Sequence, residues 1–204
     1  MWNHLPRTIL AIATLLSVTV EPQAATDAGG RNAVTPPAVE LVDMPAEFAA
    51  AATWAMDLFD QAGFDLPLLR YVYHGDNSEP CAGRPGLHHP VEGRHVIEIC
   101  TAEMSIPTEV MILHETAHAW IDRTLTDERR ATFQQLRGWT YWRNYDAAAW
   151  HDNGTEQAAE IMVWGLIDRP LEMVRIDQNS CDELDAGYRA LTGKAPLHGF
   201  RDEC

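Results

Sequence analysis

The run Val110-Met111-Ile112-Leu113-His114-Glu115-Thr116-Ala117-His118-Ala119-Trp120-Ile121 contains no helix breaker and carries polar side chains only at His114, Glu115, Thr116 and His118. On a helix, residues four apart share a face, so His114 and His118 present two imidazoles side by side with Glu115 next to them. The apolar flanks predict a buried helix. Buried polar groups without partners cost roughly 2–7 kcal/mol each. A metal ion satisfies all three groups together, whereas an amphipathic helix with two incidental histidines leaves them unpaired. Neutral imidazoles suit Zn²⁺, and the adjacent carboxylate is placed to take a proton from a zinc-bound water.

Working outward, Pro107 suits the first turn of this helix, which is expected to end near Arg123. Asp122 lies one turn past His118, where it is read as an exposed carboxylate or as a group orienting that imidazole. Upstream, Leu68 to His74 and Arg94 to Cys100 read as two strands. A long Gly/Pro-rich loop, Glu79 to Gly93, separates them, and the three segments together predict a hairpin. His88 and His89 fall in that loop and are expected to be solvent-exposed. A first helix is expected over 44–62, with Asp43 at its cap, Pro45 in its first turn and Gly63 at its stop. Residues 26–42 read as a flexible lead-in.

The chain has 204 residues and a formal net charge of −15. Residues 1–25 have the pattern of an export signal: Arg7, the apolar Thr8 to Val20, then a segment ending in Ala24-Ala25. Residues 43–204 then form a single domain, large enough for a sizeable core. Four cysteines in an exported chain suggest two disulfides, with the sequence-local pairs Cys81–Cys100 and Cys181–Cys204 favoured. The acidity argues against nucleic acid and against anionic membrane surfaces as partners.

Downstream, Thr126 to Arg137 predicts a charged, solvated helix, and Gly138 to Tyr145 an aromatic-rich connection. A helix over 155–167 follows, capped by Asp152 or Asn153. Glu156 and Glu160 are spaced i,i+4 and so share one face of it, supplying the acids that a two-histidine site lacks. A last helix, Cys181 to Leu191, ends at Thr192-Gly193.

His114-Glu115-x-x-His118 followed by Glu156-x-x-x-Glu160 resembles the gluzincin zinc metallopeptidases, and Glu156-Gln157-Ala158-Ala159-Glu160 is similar to their small lethal-factor-like and related bacterial members. The likeness covers roughly residues 95–167; the segment after it looks like small secreted actinobacterial proteins. The resemblance implies an α+β, zincin-like fold: a small antiparallel sheet beside a helical body, with zinc between two helices. It implies His114, His118 and Glu156 as zinc ligands, Glu160 as the acid that holds a ligand histidine, and Glu115 as general base. Thr155 and Glu160 depart from the Asn and Asp usual in the thermolysin group. That leaves open an exchange of roles between Glu156 and Glu160, with Glu156 preferred on the metal. The aspzincins place a ligand Asp where this chain has Ala158, which counts against them.

The implied activity is hydrolysis of peptide or protein substrates outside the cytoplasm, with no membrane association once the signal is cleaved. Tyr141, Tyr145 and His151 are candidate donors to the oxyanion, and the strand ending at Cys100 is expected to be the edge along which substrate pairs. The competing function is a non-catalytic binding or structural protein in which His151 completes a closed zinc site.

Overall fold

The computed structural model describes residues 39–143, 153–169 and 180–199. Among them are four strands, β1 (Glu40–Val42), β2 (Leu69–Tyr73), β3 (Gly86–Val91) and β4 (Arg94–Ile99). Five helices accompany them: α1 (Ala46–Gln61), α2 (Ile106–Thr124), α3 (Asp127–Arg137), α4 (Gly154–Leu166) and α5 (Cys181–Thr192). All lie in one compact unit. The expected export signal lies outside the described residues.

The helices start and stop where the sequence chemistry places them. Ser105 caps α2, Thr126 caps α3 and Asn153 caps α4, each side chain accepting a backbone N–H of the first turn. Ser180 and Glu183 close a reciprocal capping box on α5. At α1, Pro45 occupies the N-cap position without a side-chain cap, and Asp43 instead takes a left-handed backbone conformation.

The sheet departs from the sequence expectation. Its order is β1-β2-β4-β3, with β1, β2 and β4 mutually parallel and only β3–β4 antiparallel. It is therefore mixed rather than antiparallel. The segments Leu69–Tyr73 and Arg94–Ile99 are parallel neighbours, not the two arms of a hairpin. The hairpin is β3–β4, folded through Glu92-Gly93, which have φ of 48° and 78°. Two positive φ values in a two-residue loop define the turn whose twist suits a hairpin. Gly86–Val91, expected as loop, is thus the edge strand, and Glu40–Val42, expected as flexible lead-in, pairs in register with Arg70–Val72.

Alternation along the strands sets the faces. Gly86, His88 and Pro90 stand opposite Ile99, Ile97 and His95, and all six share the face that meets α2. Leu87 and His89 take the other face, where His89 and His74 both hydrogen-bond Glu98, at 3.0 and 2.6 Å. On β2, Leu69 and Tyr71 bury fully into the helical side, and the Tyr71 hydroxyl meets Thr116 Oγ1 at 2.9 Å. Thr116 in turn donates to the Ile112 carbonyl, so the middle of the α2 motif is pinned to the sheet through Thr116. α2 packs against α1, α4, β3 and β4, and α5 closes on α3 and α4.

A disulfide, Cys81–Cys100, joins the β2–β3 connection to the end of β4, with Cα atoms 6.1 Å apart. Closing a loop of this length is worth about 3 kcal/mol in the chain-entropy account. Cys181 is also disulfide-bonded, and Cys204 lies outside the described residues.

One packing contact makes a sharp prediction. A Cβ on Gly165 in α4 would lie 2.1 Å from two ring carbons of the buried Tyr188 in α5. In an exposed helix Gly→Ala stabilises by roughly 1 kcal/mol. Here the rigid ring reverses the sign, and Gly165→Ala is expected to destabilise by about 1–3 kcal/mol. Urea unfolding of the two proteins measures the difference; an unchanged or raised midpoint contradicts the contact.

Candidate metal centre

α2 has two faces. Ile112, Leu113, Thr116, Ala117, Trp120 and Ile121 enter the core. Met111, His114, Glu115, His118 and Asp122 recur at helical spacing along a second stripe, which faces β3 and α4. α4 approaches that stripe with Glu156 and Glu160. Its first turn is anchored from outside: Thr155 N–H donates to the Trp142 carbonyl at 3.0 Å, and Trp139 Nε1–H donates to Gln157 Oε1 at 3.0 Å. Arg137 also donates to Gln157 Oε1. The aromatic connection thus holds the end of α4 that carries Glu156 in place.

His114 Nε2, His118 Nε2 and Glu156 Oε2 converge. The three separations are 3.0 Å between the imidazole nitrogens, 3.0 Å from His114 to Glu156 and 3.1 Å from His118 to Glu156. The two rings are nearly perpendicular, at 82°. Three donors at 2.0–2.2 Å from a tetrahedral Zn²⁺ would be spaced roughly 3.3–3.5 Å apart. The arrangement therefore fits such an ion with shifts of a few tenths of an ångström, and two nitrogens with one carboxylate oxygen are a chemically suitable donor set.

No protein-family model, curated protein or solved structure matches the chain. The site therefore rests on its own geometry.

The two acids of α4 take different positions. Glu156 faces both Nε2 atoms, whereas Glu160, itself buried, lies behind His114 with Oε1 3.2 Å from Nδ1. A carboxylate at Nδ1 favours the tautomer that leaves the Nε2 lone pair free for a metal. Burial opposes the charge on His114, but hydrogen bonds that it donates to Glu156 and Glu160, with the charges of Glu160 and Glu115, push its pKa up to about 10. Burial would raise the Glu156 carboxyl, yet the two histidines hold it well below the usual carboxylate range.

Glu115 lies where β3 presses against α2 at Gly86. A Cβ on Gly86 would fall 2.1 Å from Met111 Sδ and 3.3 Å from Glu115 Cγ. Only a residue without a side chain lets the strand run this near the candidate base. Asp122 does not serve His118: its Oδ1 accepts from Arg143 Nη2 at 2.7 Å, and its Oδ2 turns toward His88.

His88 corrects the expectation of a solvent-exposed loop residue. Its side chain is 5 % exposed, its ring lies 6.1 Å from that of His118, and its Nε2 is 2.9 Å from His95 Nδ1. Burial, then the neighbouring His118, His95, His89 and Arg143, push its pKa down to about 3, which keeps it neutral. The signal for this placement was the Glu92-Gly93 turn, which makes the preceding segment a strand and sends alternate residues inward. His89 does go outward, to Glu98.

Of the three candidate oxyanion donors, Tyr141 is 64 % exposed, and no hydrogen bond holds its hydroxyl among the described residues. Tyr145 and His151 lie outside them.

The raised pKa of His114 gives a thermodynamic signature. Without metal the imidazole is protonated at neutral pH, and a metal ligand must be neutral. Zinc uptake at pH 7.5 is therefore expected to release about one proton, and affinity should rise with pH toward about 10. Calorimetric titration in buffers of different ionisation heat measures the proton count; a count of zero contradicts the charged cluster. In the metal-free protein the same shift contributes stability that is complete below about pH 6.5 and is lost as pH rises through about 10.

Proposed function

We propose that the chain is an exported zinc-dependent peptidase of zincin-like fold and gluzincin type. The observation that carries this reading is the convergence of His114 Nε2, His118 Nε2 and Glu156 Oε2 within 3.0–3.1 Å of one another, with Glu115 on the same stripe of α2. His114, His118 and Glu156 would hold the ion. Bound zinc would supply Lewis acidity, polarising a substrate carbonyl and making an adjacent water easier to deprotonate.

The rest falls to the protein. Glu115 accepts the proton of the attacking water and returns it to the leaving amine. Glu160 keeps His114 oriented. Among the described residues β3 is the edge of the sheet next to α2, so it, rather than β4, is the strand to which an extended peptide could add, because β4 is covered on both sides by β2 and β3. Gly86 brings that edge against Glu115.

The export half of the proposal draws on the signal pattern of residues 1–25 and on the disulfide, whose chemistry suits an oxidising compartment. Among the described residues no helix is long and apolar enough to cross a membrane.

Wild type and Glu115→Gln compared for bound zinc and for cleavage of a broad peptide library test the reading. Both are expected to bind one equivalent at the triad, with cleavage reduced by about 10²–10⁴-fold in the variant. Equal zinc binding with no cleavage by either would favour a non-catalytic zinc protein, and no zinc at the triad in wild type would overturn the site itself.

A further inference from the structure

A second group of ligating side chains stands next to the first, and the peptidase reading does not use it as one. His88 on β3, His95 on β4 and Asp122 on α2 each direct a donor atom to a common region, with the donors within 4.8 Å of one another. The three come from different elements, brought together by register. His88 pairs with Ile97 and His95 with Pro90, so both imidazoles project from the α2 face of the sheet. Asp122 follows His118 by four residues and so extends the stripe of α2 by one further turn.

The contacts within the group are asymmetric in a useful way. Asp122 divides its oxygens: Oδ1 accepts from Arg143 Nη2 at 2.7 Å, and Oδ2 points to His88 Nδ1 at 4.0 Å. An arginine holding one oxygen leaves the other aimed, as outer partners of ligand carboxylates do. His88 meets His95 through its other ring nitrogen, Nε2, which lies 2.9 Å from His95 Nδ1. The carboxylate is the outer member, and it also lines a cavity of about 310 Å³ with Ile121, Leu125, Arg130, Trp142 and Arg143.

We propose that His88, His95 and Asp122 form a second site for a divalent transition-metal ion of the zinc type, distinct from the His114–His118–Glu156 triad. Two imidazoles and one carboxylate are a donor set for Zn²⁺ or Co²⁺ rather than for Ca²⁺ or Mg²⁺, which prefer all-oxygen shells. The site is looser than the triad, whose donors lie 3.0–3.1 Å apart, so loading draws the Asp122 carboxylate inward. The nearby Arg143 cation also opposes the ion. Both features make it the weaker of the two sites. Its occupation ties β3 and β4 to α2 beside His118, and so stiffens the strand that borders Glu115.

The test uses the full chain, stripped of metal, titrated with Zn²⁺ by calorimetry. Wild type is expected to bind two equivalents, the second at least tenfold more weakly. His88→Gln and Asp122→Asn should each lose the weaker equivalent and keep the tighter, whereas His114→Gln should lose the tighter and keep the weaker. Asp122 sits at the rim, so Asp122→Asn probes the site without disturbing the buried rings, and circular dichroism checks its fold. Anomalous diffraction at the zinc edge from wild-type crystals soaked in Zn²⁺ locates the ions without any variant: a peak among His88, His95 and Asp122 is expected. One equivalent in wild type, a second equivalent that survives both His88→Gln and Asp122→Asn, or a second peak elsewhere overturns the proposal. Because the triad has its own variant, loss of either site is read separately from the other.

Discussion

Four ionisable side chains, His114, His118, Glu156 and Glu160, are enclosed between two mostly buried helices, and that enclosure is the constraint to which the surrounding structure answers. Taking charges out of water costs several kcal/mol per ion unless each finds a partner with good geometry. The partners here are mutual: Glu156 faces both Nε2 atoms, and Glu160 stands against Nδ1 of His114. Such a cluster tolerates little misplacement. Each helix that contributes to it is accordingly fixed from its outer side, α2 through Thr116 to Tyr71, and α4 through Gln157 to Trp139 and Arg137.

The same requirement accounts for the division of labour between small and large residues. Where backbone must come close, the chain has glycine: Gly86 under Met111 and Glu115, Gly165 under Tyr188. Where elements must be held at a set distance, it has aromatics, with Phe64 against Trp120 and Trp142 edge-on to Phe133. The ionic cluster is thus a polar inclusion in an otherwise apolar packing problem.

Much of this was legible from sequence where the signal is local. Apolar periodicity with Ser180, Thr126 and Gly193 at the ends bounded the helices, and the i,i+4 spacings of His114–His118 and Glu156–Glu160 placed each pair on one face. What could not be read locally was pairing between segments. Leu69–Tyr73 and Arg94–Ile99 both look like strands, but nothing in either states whether they run parallel, and the short β1 has too few residues to show a period. His88 was misplaced for a related reason. Gly and Pro in Gly86–Val91 suggest a loop, whereas an edge strand accepts both: Pro90 at a position whose N–H pairs with nothing inside the sheet, Gly86 where a helix presses on it. Glu160 shows the opposite case, because a second acid one turn beyond Glu156 shares its helical face whatever the tertiary fold, and here it meets Nδ1 of His114.

The two-residue turn at Glu92-Gly93 has a consequence for how error-tolerant this molecule is. Side chains in a strand alternate with period two, so a slip of one residue between β3 and β4 exchanges their faces completely. His88 would leave the helix for the face that carries Glu98, and His89 would be driven inward beside His118. Leu87 would take the place that only Gly86 fits. The turn therefore acts as a register lock for chemistry more than ten residues away in sequence. A single insertion there would leave every residue of the candidate centre in the chain and still deprive it of the strand that borders it.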